Sequence, residues 1–136
     1  MKKHIQTLNI KEHGNASNCY QTTLACLLNV EIWQVPNFSL FYNDPNWIKI
    51  VDNWLYFNHN VKEIPSSELK AYHTGKLKQF PKRFKNIPYM VSDISPRGPY
   101  HHVVIYKNGK MIHDVYPSGM GVTITDNVEC TYLKKL

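Results

Sequence analysis

The chain has 136 residues, 43% hydrophobic and 19% charged, with three Trp and nine Tyr. That is the size and composition of one globular domain spanning 1–136, and it excludes a disordered polar chain. A formal charge of +6 favours acidic partners and leaves the fold open.

Three cysteines, Cys19, Cys26 and Cys130, form an odd, sparse set with no CxxC pair, which argues against a disulfide scaffold or a zinc ribbon. No window approaches the ~18 consecutive apolar residues of a membrane span. No apolar run of signal-peptide length follows Met1-Lys2-Lys3 either. The expectation is a mature chain beginning near Met1, with no membrane partner, in the cytosol of the cell that makes it.

Residues 4–17 read as a polar leading segment with Gly14, Asn15 and Ser17 as loop formers. From Asn18 the apolar residues recur at helical spacing, and a helix is predicted over 19–29 with Asn18 or Ser17 as cap. Glu31 to Val35 adds a turn that Pro36 closes. A second helix is predicted to open at Asp44-Pro45 and run to about Phe57, with Trp47, Ile48, Val51, Trp54 and Leu55 as its core stripe. Ser66 to Lys70 could open a short helix. The segment 76–85 is basic, with Phe80 and Phe84 interleaved.

The last third changes period. Residues 87–94, 101–106, 110–116, 121–125 and 128–133 read as strands separated by turn signals, Asn108-Gly109 the sharpest of them. Helices followed by a strand meander predict an α+β fold, with N-terminal helices packed on an antiparallel C-terminal sheet.

Cys19 sits where the loop becomes a helix, so its sulfur would lie near unpaired N–H groups and the positive end of the helix dipole, both of which favour thiolate. Cys26, mid-helix among leucines, and Cys130, in a late strand, fit a packing role instead.

Asn108-Gly109 predicts a two-residue type I′ turn, because that turn needs positive φ at both centres. Lys107 then faces Lys110, and onward pairing sets Val103 opposite Asp114 and His101 opposite Tyr116. In that register His101 and Asp114 share a face as diagonal neighbours, ~7–8 Å apart at the backbone. An imidazole oriented by a carboxylate is the base a thiol nucleophile requires, so His101 is preferred to His102. A metal site from His101, His102, His113, Asp114 and Cys19 is disfavoured, because adjacent strand residues point to opposite faces. No cofactor is implied.

The string Gly14-Asn15-Ala16-Ser17-Asn18-Cys19-Tyr20-Gln21, followed by Leu28-Asn29-Val30 and Val35-Pro36-Asn37-Phe38, resembles small papain-like proteins, many encoded by phages and bacteria. His101-His102-Val103-Val104 and Ile112-His113-Asp114-Val115-Tyr116-Pro117-Ser118-Gly119 look like the same group's His-Ala-Val-Val and His-Asp-Pro-His-Pro-Ser-Gly elements. Departures are His102 for a small residue, and Val115 and Tyr116 for Pro and His. The resemblance implies a papain-like fold and a Cys19, His101, Asp114 triad attacking a peptide, isopeptide or related amide in a peptide or protein substrate. It also implies an oxyanion donor ahead of the nucleophile, Gln6 in Ile5-Gln6-Thr7, although His13 matches the papain spacing better. A phage origin would make the host cytoplasm the site of action. The rival reading is a non-catalytic binding or inhibitory protein on the same scaffold, contacting nucleic acid through Lys76, Lys78, Lys82, Arg83 and Lys85 with Phe80 and Phe84 stacking on bases.

Overall fold

The computed structural model describes residues 1–8 and 17–136. Helices α1 (Cys19–Leu28) and α2 (Trp47–His59) precede strand β1 (Val61–Pro65), helix α3 (Ser67–His73) and strands β2 (Tyr89–Ile94), β3 (His101–Lys107), β4 (Lys110–His113) and β5 (Glu129–Lys135). The fold is therefore a mixed α+β one. Its five-stranded sheet has the order β1-β5-β2-β3-β4. β2 pairs antiparallel with β3 and β5, as does β3 with β4. Along β1 and β5 the bonds Leu136 N–H to Asn60 O and Ser66 N–H to Cys130 O run in opposite numerical sense, so this pair is antiparallel too. The predicted meander holds through β2, β3 and β4. The last strand then returns to the far side of β2, because β1, which the sequence left undecided, supplies a second edge for it to fill.

The residues fall into two compact units: one of Met1–Glu63, Val115–Pro117 and Leu133–Leu136, the other of Ile64–Asp114 and Ser118–Tyr132. In the first unit α1 buries Thr22 to Cys26 and ends at Asn29, whose φ of 59° is the left-handed conformation that stops a helix. A 3-10 turn at Ile32–Gln34 carries a reciprocal capping box between Glu31 and Gln34. The second helix begins at Trp47, later than predicted, since Asp44 turns its carboxylate onto the Asn46 N–H at 2.8 Å. Val51 and Leu55 are its buried face, and Trp54 meets Phe38 edge-on at 5.7 Å. Ile48, predicted in that stripe, is 59% exposed.

In the second unit, Leu69, Phe84, Tyr89, Val91, Val104, Val128 and Cys130 form the core. Ser66 caps α3 by accepting the Leu69 N–H at 3.2 Å. The basic segment folds inward through its aromatics: Phe84 is buried and Phe80 packs against Tyr72 and Tyr89. Arg83 lies over the Phe84 ring and pairs with Glu68 at 2.6 Å. Phe84 is thus part of the core, and Phe80 is partly buried against it. Lys76, Lys78, Lys82 and Lys85 stay exposed. The predicted strand 121–125 reduces to one bridge, Ile94 with Thr123. Buried Asp93 accepts from both the N–H (2.7 Å) and the hydroxyl (3.0 Å) of Thr125, so a carboxylate holds that loop where a strand ladder would have.

His73 bonds the Tyr89 hydroxyl at 2.7 Å, and burial holds the affinity of its imidazole for a proton below the ordinary value. The unfolded chain thus takes up a proton that the folded chain resists. Its contribution to stability is complete above about pH 6.5, the ordinary histidine value, and declines as the pH falls below that. Urea midpoints should accordingly be lower at pH 5 than at pH 7.5, with a smaller difference in His73→Gln. An equal difference in both proteins would assign the effect to another group. Among the described residues no helix is long and apolar enough to cross a membrane.

Candidate active site

In the first unit Cys19 is the first residue of α1 and is half-buried. Asn18 ahead of it has non-helical backbone angles, and its carbonyl accepts the Thr22 N–H at 2.9 Å, the helix's opening bond. The N–H groups before Thr22 have no partner within the helix, as at any helix start. No side-chain cap from Asn18 reaches them. The other two thiols differ. Cys26 is buried and receives the His4 N–H, and burial pushes its thiol up. Burial pushes Cys130 up to about 12. Both are held as neutral thiols at ordinary pH, as their packing positions predicted.

Gln6 stands in the same unit. Its backbone N–H bonds Val115 O at 2.7 Å, and its Nε2 donates to Leu8 O at 2.8 Å. One of the two amide hydrogens is thus already used. His13, the other oxyanion candidate, and the Gly14-Asn15-Ala16 part of the motif lie outside the described residues.

In the second unit the Asn108-Gly109 turn forms as predicted, with φ of 54° and 82°, and Lys107 faces Lys110. Tyr106 faces Met111. The next pair is Ile105 with His113, so Ile112 is an extra residue on β4. Such a bulge shifts the register by one and moves each later side chain to the other face. The predicted sharing of a face by His101 and Asp114 is overturned for this reason. It is His102 whose Nε2 meets Asp114 Oδ1, at 2.7 Å, with side chains only 2% and 3% exposed. The other carboxylate oxygen accepts the Gly121 N–H at 2.8 Å, so Asp114 also holds the loop after Ser118. His101, at the opening of β3, is exposed. Nothing in the sequence marked Ile112 as a bulge.

The two units hold different groups. The first holds a half-buried thiol at a helix start, and the second a histidine whose tautomer a buried carboxylate can set. Among the described residues no three His, Cys, Asp or Glu side chains gather closely enough to hold a metal ion. Compared with known proteins, the chain matches no family model, no curated protein and no solved structure.

Proposed function

We propose that this chain is a papain-like, cysteine-dependent hydrolase or acyltransferase acting on an amide bond of a peptide or protein, with Cys19 as its nucleophile. The observation that carries the reading is the contrast among the three thiols: two are buried with their ionisation suppressed, and Cys19 alone is half-exposed at the start of a helix. In the proposed reaction Cys19 gives its proton to an imidazole and its sulfur bonds to the substrate carbonyl carbon. The imidazolium then protonates the departing amine as the C–N bond breaks. Water, or another acceptor, resolves the thioester and restores the thiol.

His102 is the base this reading favours, since its bond to Asp114 is the orienting interaction such a base uses. A second reading assigns the base to His101, favoured by its exposure against the buried ring of His102 and by its place in the His-x-Val-Val resemblance.

Iodoacetamide labelling at pH 6, followed by mass spectrometry, tests both. Wild type is expected to label Cys19 at least about tenfold faster than Cys26 or Cys130. Equal rates at Cys19 and Cys26 would end the nucleophile reading. His102→Gln keeps a donor for Asp114 and removes the titrating ring. Loss of fast labelling in that variant supports His102, and loss in His101→Ala alone supports His101. A bacterial lysate incubated with wild type should leave an acyl adduct on Cys19, and on no residue of Cys19→Ala.

A further inference from the structure

Asparagine is among the best helix caps, because its side-chain oxygen can accept an N–H of the first turn. Asn18, which is 2% exposed, uses its side chain otherwise. Its Oδ1 accepts the N–H groups of Thr7 (3.1 Å) and Leu8 (2.8 Å), and its Nδ2 donates to Thr7 Oγ1 at 3.0 Å. Its backbone N–H donates to Leu8 O at 3.2 Å, the same carbonyl that receives Gln6 Nε2. One residue therefore clamps the Thr7-Leu8 backbone against the start of α1, and the Gln6 amide hangs from the clamped carbonyl. Gln6 Oε1 is buried with no hydrogen-bond partner among the described residues, so its nitrogen side sets the amide's orientation.

We infer that Asn18 is a positioning residue for the chemistry at Cys19: by bonding backward to Thr7 and Leu8 it gives the leading N–H groups of α1 no side-chain cap of its own, which leaves them to an acyl oxygen, and it keeps the Gln6 amide on the Leu8 carbonyl that its own N–H also bonds. The inference rests on the reading of Cys19 as a nucleophile. A side chain that capped α1 would compete with an acyl oxygen, or with the thiolate, for the same donors. Asn18 avoids that competition, and its three side-chain bonds offset the capping it forgoes.

Asn18→Ser tests this, since serine caps a helix well and is too short to hold Thr7 and Leu8. With iodoacetamide at pH 6, Cys19 labelling is expected to slow about tenfold relative to wild type, while the rate at pH 9 stays within about twofold. Cys26 and Cys130 should remain unlabelled, which separates this effect from unfolding. A pH 6 rate within about twofold of wild type would overturn the role of Asn18. If Asn18→Ser exposes the two buried thiols, Thr7→Val decides: it removes one bond of the clamp, an about threefold fall is expected, and an unchanged rate overturns the inference. Wild type that fails to label Cys19 ahead of Cys26 overturns the nucleophile reading and this one together. Fast wild-type labelling with both variants unchanged overturns only this one.

Discussion

Asp114→Ala is expected to destabilise the chain by about 3–5 kcal/mol, whereas His101→Ala should shift stability by no more than about 0.5 kcal/mol. Removing the carboxylate withdraws the partner of the buried His102 Nε2 and the acceptor of the Gly121 N–H. A side chain only 2% exposed has little access to water to replace that bond, and losing a buried hydrogen bond leaves its desolvation cost uncompensated. His101 is exposed, so its truncation leaves nothing orphaned. Urea unfolding read by circular dichroism measures both, provided the slopes agree with wild type. Comparable losses in the two variants would refute the bulged register and restore the one in which His101 and Asp114 share a face.

The second large effect belongs to α2. Leu55→Ala removes a side chain with no exposed surface, and core truncations of this kind cost about 2–5 kcal/mol because the packing around them only partly closes. Ile48→Ala, in the same apolar stripe of the sequence, should change stability by less than about 0.5 kcal/mol, since its side chain already faces solvent. Equal losses would mean that Ile48 is covered in solution. The contrast separates membership of a stripe from burial. A helix seven residues apart brings side chains back to about the same direction, and how wide a strip is covered depends on what packs against it.

Much of the local structure was legible in the residues. The first helix starts at Cys19 and stops at Asn29 within a residue of expectation, because an apolar recurrence and a left-handed asparagine are local signals. Asn108-Gly109 announced its turn for the same reason. Ser66 to Lys70 pointed to the short helix that α3 forms. Strand β1 was missed: it is five residues long, ends in proline and sits at the sheet edge, so it lacks the sustained alternation that marks longer strands. The loop after Gly121 looked like a strand, since Val122 and Ile124 alternate with threonines, yet buried Asp93 holds it in place through Thr125.

The candidate site divides the same way. Local sequence was enough to put Cys19 at a helix mouth, to send Cys26 and Cys130 into packing, and to bring a histidine of β3 and the aspartate just past β4 into one hairpin. Only the tertiary structure decided which histidine meets that aspartate. One extra residue, Ile112, inverts the facing of every side chain beyond it, and alternation along a strand carries no record of where its partner slips. The direction of the Asn18 side chain was hidden likewise, because a cap and a clamp use the same amide and differ only in which donors the folded chain brings within reach.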